Sequence, residues 1–204
     1  MEKENEKKPV DVQGLLSLGY IYLLILGIIH NAVYYNLLDI QYLEHSSILD
    51  VLISPINVIT SSLKSALIFL AIVVLSLLYV RGLIPLVVRW RRKQKKYQSG
   101  KKLDQINGLD HLAKNRYASL VIMAIFIFGY FVGFGYGRGI KYNLAIAENT
   151  IENDYRIDFI NSKSIDVKIL GKNSLNVFYI SQGEKQISIS PIDGNVMTIR
   201  KLSK

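Results

Sequence analysis

Residues 117–137 read YASLVIMAIFIFGYFVGFGYG, 21 residues without a charge, fenced by Arg116 and Arg138. A helix rises about 1.5 Å per residue, so about 20 residues cross a hydrocarbon core of ~30 Å. Two further blocks have the same character. One spans residues 12–38 and is most apolar over 15–29; the other spans 65–88 and is broken once, by Arg81. Tyr34 and Tyr35, Tyr79 and Trp90, and Tyr117, Tyr130 and Tyr136 flank the blocks, as expected of rings that settle at headgroup level. A soluble chain of 204 residues cannot wrap three helices that are apolar all round in a polar shell.

Composition agrees. Half of the chain is hydrophobic and only 20% is charged, and mean hydropathy is +0.23. The net charge of +9 would point to nucleic acid if it covered a soluble surface, but it is concentrated between spans. There is no Cys, which excludes disulfides, thiolate nucleophiles and thiolate zinc sites.

Basic residues set the expected orientation. Residues 31–63 hold no Lys or Arg, only Asp39, Glu44 and Asp50. Residues 91–116 hold nine: Arg91, Arg92, Lys93, Lys95, Lys96, Lys101, Lys102, Lys114 and Arg116. By the positive-inside rule the second loop is cytoplasmic and the first is outside. The expected location is therefore the cell (cytoplasmic) membrane, with a cytoplasmic N-terminus and an extracytoplasmic, periplasmic-side C-terminus. Lys7 and Lys8 precede the first block, but Gly27–Ala32 reads GIIHNA, with no small-residue cleavage site. An uncleaved signal anchor is expected.

The expected organisation is a mobile cytoplasmic N-terminus (1–11), a first transmembrane helix (12–38), and an outer loop with a short interfacial helix (39–54). A second transmembrane helix (55–88), a basic cytoplasmic loop (89–116), a glycine-rich third helix (117–140) and a juxtamembrane connector (141–148) follow. Ser47 and Asp50 fit a capping box. Ser54-Pro55 reads as an N-cap with proline at the first helical position, so the second span is expected to begin there. Arg81-Gly-Leu-Ile-Pro85 is expected to end that span near Gly82, with a basic interfacial helix beyond. Asn107-Gly108 reads as a breaker, and Asp110 can pair with Lys114.

After Asn149 blocks give way to alternation: Tyr155-x-Ile157-x-Phe159, Ile165-x-Val167-x-Ile169, Leu175-x-Val177-x-Tyr179, Ile187-x-Ile189 and Val196-x-Thr198. Turn chemistry at Asn161–Lys163, Gly171–Asn173, Gln182-Gly183 and Asp193–Asn195 separates them. The expectation for residues 149–204 is an antiparallel β-domain, an SH3-like or Sm-like barrel or a curled five-strand meander, with Pro191 at an edge or bulge. The fold class is thus an α+β membrane protein.

Gly129, Gly133 and Gly137 lie four apart on one helix face and predict close helix packing. The expected contact is the chain's own first helix, which offers Gly19 and Gly27; the alternative is a self-association seam. Arg81 is the ionisable residue within a span. It is expected to reach headgroups by snorkelling, with gating as the sharper reading. Arg89, Arg91, Arg92, Lys93, Lys95 and Lys96 are expected to contact anionic lipid on the cytoplasmic side. His30, His45, Asp39, Glu44 and Asp50 share the outer side, but their spacing matches no metal motif. The sequence holds no GxSxG, HExxH or Walker A motif, and Gly133–Gly137 lies inside a span, where it cannot cradle phosphate. No catalytic residue, cofactor, metal or nucleic-acid partner is expected. The expected function is non-enzymatic: anchoring and presenting the β-domain as a subunit or accessory of a larger membrane assembly, through a protein partner or homo-oligomer. The alternative is a homo-oligomeric channel or permeabilising protein with the third helix at its seam.

Overall fold

The computed structural model describes residues 12–202; the N-terminal segment expected to be mobile lies outside the described residues. Six helices precede five strands: α1 (Val12–Asn36), α2 (Ile48–Thr60), α3 (Leu63–Leu78), α4 (Ile84–Arg92), α5 (Lys101–Lys114), α6 (Arg116–Ala147), then β1 (Tyr155–Phe159), β2 (Ser164–Lys172), β3 (Asn176–Ile180), β4 (Ser188–Pro191) and β5 (Val196–Lys201). Three helical stretches are long and apolar enough to cross a membrane: Gln13–Asn36, Leu63–Arg92 and Tyr117–Ala147.

α1 and α6 run side by side in the same direction. Tyr22 donates to the Ala124 carbonyl, His30 bonds the Phe131 carbonyl at 2.9 Å, and Asn143 donates to the Leu37 carbonyl at 2.7 Å. α3 runs beside α6, with Tyr130 bonded to Ser65 at 2.7 Å and packed on Phe69. Leu26, Val58, Tyr130 and Phe131 form the buried centre of this bundle.

α2 departs from the expected start of the second span. Its capping box is present, with Ser47 and Asp50 bonded reciprocally, but Pro55 lies inside the helix and the long span starts at Leu63, capped by Ser62. Pro55 forfeits the bond its N–H would have given the Val51 carbonyl, and α2 turns Ser54 and Pro55 inward against Gly27, while Ile48, Leu49, Ile53 and Ile56 face outward. At the other end the span does not stop at Gly82. Residues 79–83 form a π-turn, and the helix runs on through it into α4 with Pro85 at its second residue; the wider turn makes room for the proline ring, whose missing N–H leaves one carbonyl of that turn without its helical bond. The basic stretch is likewise no plain loop, since Ile84 and Val88 of α4 pack on Ile106 of α5. Asn107-Gly108 sits within α5, and Lys114 pairs with Asp110 at 2.8 Å.

The sheet has the order β4-β3-β2-β1-β5, antiparallel throughout. It is therefore not a plain meander: β5 returns to the free edge of β1. Pro191 ends β4, an edge strand. Gly171 and Lys172, expected in a turn, belong to β2, whose register shifts between Ile169 and Gly171. On one face Ile157, Phe159, Val167 and Val177 form a core drawn from the sheet and its turns. The two edges of the sheet, β4 and β5, do not pair with each other.

On β2 and β3 the opposite face packs on the helices, while its continuation on β1 and β5 carries the exposed Arg156 and Arg200. Leu170, Phe178 and Ile180 share a core with Tyr34, Tyr35, Leu38, Ile40, Tyr42 and Ile151. The strand period of two explains the division: in β3, Val177 serves one core and Phe178 the other. Helix ends and sheet thus fold around common side chains, at the end of the bundle opposite the α4–α5 hairpin.

A polar cavity at the junction of helices and sheet

Polar bonds reinforce the shared core. Tyr34 donates to the Leu170 carbonyl at 2.7 Å, and Tyr35 lies against Gly171, where any β-carbon would collide with its hydroxyl. Asn173 and Asn176 donate to the His45 carbonyl at 2.8 and 2.9 Å. Asp50 accepts from the Ser174 amide at 3.0 Å and the Ser174 hydroxyl at 2.7 Å while capping its own helix through Ser47. Burial pushes the Asp50 carboxyl up, but the hydrogen bonds from Ser174 and Ser47 together outweigh it and hold the pKa below the usual value. One carboxylate therefore ties the start of α2 to the β2–β3 turn.

Beneath this seam lies a cavity of about 150 Å³, open on one side and lined by residues of α1, α2, α6 and β2. His30, Tyr34, Ser54 and Val58 form its buried floor, and Asn57, Ser61 and Lys172 its exposed rim. Arg138 contributes a guanidinium that lies 5.1 Å from the Tyr34 ring centre and 5.7 Å from that of Phe134. A carbonyl can only accept, so His30 presents its Nδ1 proton to Phe131 and is left with Nε2 as its second polar atom. The Ser54 hydroxyl is buried without a partner. No carboxylate lines the cavity, and among the described residues neither Arg138 nor Lys172 forms an ion pair. It is a cationic, hydrogen-bonding recess.

The structure distributes the sequence-derived residues widely. A β-carbon on Gly129, Gly133 or Gly137 would meet nothing within 4 Å, so these glycines do not pack on α1. The close approach uses Gly135 and Gly139 instead, where a β-carbon would come 2.8 Å from the His30 carbonyl and 3.2 Å from that of Tyr34. The correction is one of helix phase: six residues from 129 to 135, at about 100° each, leave the two side-chain directions about 120° apart. On α1 the close contact is made by Gly27, against α2, whereas Gly19 is open.

Arg81 sits in the π-turn, exposed. Arg92 is tied to Asp110 at 3.0 Å and to Asn107. Arg91 and Lys96 lie over the Tyr97 ring, while Arg89, Lys93 and Lys95 are exposed. His45 packs on Phe178, so the outer His and acidic residues are dispersed. On the outer strands Asp158 accepts from Ser164, Thr198 and Arg200, and its pKa falls to about 2.

Sequence reasoning passed over the cavity because its residues come from four elements far apart in the chain. One signal was present: Arg138 and Lys141 follow the uncharged block of the third span, on the side that the charge rule expects to be poor in cations. Compared with protein-family models, curated proteins and solved structures, the chain matches none.

Proposed function

We propose that the protein is a non-enzymatic integral membrane protein that holds its β-domain at a fixed position on the extracytoplasmic surface, as a subunit or accessory of a larger membrane assembly. The observation that carries this reading is the core shared by Tyr34, Tyr35, Leu38 and Tyr42 with Leu170, Phe178 and Ile180. A catalytic or ligand-binding module needs only a tether, whereas a domain built into the helix ends keeps its height and orientation relative to the bilayer. In this reading α1 is a signal anchor, the α4–α5 hairpin is cytoplasmic, and Arg89, Arg91, Arg92, Lys93, Lys95 and Lys96 face anionic headgroups. The strand order, with β5 beside β1, supports a small open barrel of SH3-like or Sm-like type.

A second reading rests on a separate observation. The open face of Gly129, Gly133 and Gly137 is what a homo-oligomeric channel seam would offer a neighbouring backbone. Mild-detergent extraction followed by mass determination separates the two. The accessory role predicts a complex containing foreign subunits, with a mass that is no whole multiple of 23.2 kDa. A homo-oligomer that conducts ions in planar bilayers overturns it in favour of the channel.

A further inference from the structure

We propose that the cavity bounded by His30, Ser54, Asn57, Arg138 and Lys172 is a binding site for a phosphoryl group. The argument begins with uncompensated charge. Two cations line the recess and no carboxylate does, although the nearby Asp50 is fully engaged by Ser47 and Ser174. Lys172 is exposed, but Arg138 is half-buried, and a charge held in a partly buried site calls for an opposite one. Arg138 has only ring faces for company, and stacking of that kind leaves the in-plane N–H fork free for a planar or tetrahedral oxyanion.

The remaining polar groups differ in what they offer the same ligand. Ser54 walls the recess with its hydroxyl buried against Gly27 and without a protein partner, so the donors that a ligand can reach lie at the rim. Asn57 adds an amide donor at the rim, whereas the Ser61 hydroxyl already donates to the Val58 carbonyl. The volume, about 150 Å³, holds several waters or one phosphoryl group with its ester oxygens.

Position indicates the source. The α2 helix that walls the recess turns Ile48, Leu49, Ile53 and Ile56 outward, and Leu175 at the tip of the β2–β3 turn is exposed beside them. That apolar rim would sit among acyl chains, with the cavity at headgroup depth. A phospholipid headgroup and a free phosphate ion share the chemistry. The proposal goes beyond the anchoring role and does not depend on which partner the β-domain meets.

The test uses the full-length protein reconstituted in nanodiscs of phosphatidylglycerol, phosphatidylcholine and diacylglycerol. After transfer to detergent, native mass spectrometry reads the lipid retained. The wild type is expected to keep one phospholipid in preference to diacylglycerol. Arg138→Gln and Lys172→Gln are each expected to lower its occupancy about tenfold, as loss of a charge-assisted hydrogen bond does. Lys172 is exposed, so its replacement leaves the fold intact even if Arg138→Gln does not. In parallel, lipid-free protein in detergent is heated with inorganic phosphate. A rise in melting temperature that Lys172→Gln abolishes, without phospholipid preference, assigns the site to a soluble phosphate. Equal retention of diacylglycerol and phospholipid with no phosphate shift overturns the proposal, as does binding unchanged in both variants.

Discussion

Replacing Gly135 with alanine puts a methyl group where the structure has none to spare. Its β-carbon would stand 2.8 Å from the His30 carbonyl oxygen and 3.1 Å from His30 Nδ1. Comfortable packing needs about 3.5 Å, so the two helices must part by roughly 0.7 Å; turning the His30 ring away from Phe131 would relieve the contact with Nδ1 and leave the one with the backbone carbonyl. Overpacking of this kind costs about 1–3 kcal/mol. Alanine also gains up to about 1 kcal/mol of helix propensity over glycine, which blurs a single measurement. Gly133→Ala removes the blur, because it receives the same helical gain at a position with nothing within 4 Å. The difference between the two variants isolates the contact. For a chain of this size 1 kcal/mol moves Tm by about 2–4 °C, so Gly135→Ala should melt about 2–12 °C below Gly133→Ala. Both are scanned in one detergent at one heating rate, since membrane-protein melting depends on rate. Equal melting temperatures, or the reverse order, would refute the α1–α6 interface described above.

Three further outcomes are expected. Asp50→Asn turns an amide nitrogen toward the Ser47 N–H and should destabilise the chain by about 1–2 kcal/mol, with faster hydrogen exchange in both α2 and the β2–β3 turn; faster exchange in α2 alone would mean that the link to Ser174 carries no load. Asp158 has a folded pKa of about 2, below its ordinary 3.8. Its contribution is therefore complete above pH ~4 and lost as pH falls toward 2, so Asp158→Asn should flatten the acid side of the stability profile in that window, and a parallel profile would count against the Ser164–Thr198–Arg200 cluster. With no native Cys, Ser99→Cys should react with an impermeant thiol reagent only from the cytoplasm and Lys185→Cys only from outside; the opposite pattern would reverse the assigned sidedness.

What could be read from the chain divides along physical lines. The three spans follow from the length of their uncharged runs and the strands from local alternation, in which Ile157, Val167 and Val177 recur because one strand face is buried. The Ser47–Asp50 cap was visible for the same reason, since its partners are three residues apart. Helix phase was not visible: Gly129, Gly133, Gly135, Gly137 and Gly139 all carry close spacing, and tertiary contact alone selects Gly135 and Gly139. Pro55 and Pro85 read as boundaries, but both lie within helical stretches, Pro55 inside α2 and Pro85 just past the π-turn. The return of β5 to β1 and the docking of Phe178 on Tyr35 are long-range pairings with no local signature. The cavity combines all of these and could be assembled only from the fold.

The account stands on the claim that sheet and helices form one body. Spin labels at Val121→Cys on α6 and Met197→Cys on β5, both exposed positions, measure this directly by pulsed dipolar spectroscopy of the full chain in nanodiscs. The predicted result is a single distance distribution no wider than the labels' own rotamers produce. A broad or multiple distribution would contradict the account and make the β-domain a module on a tether.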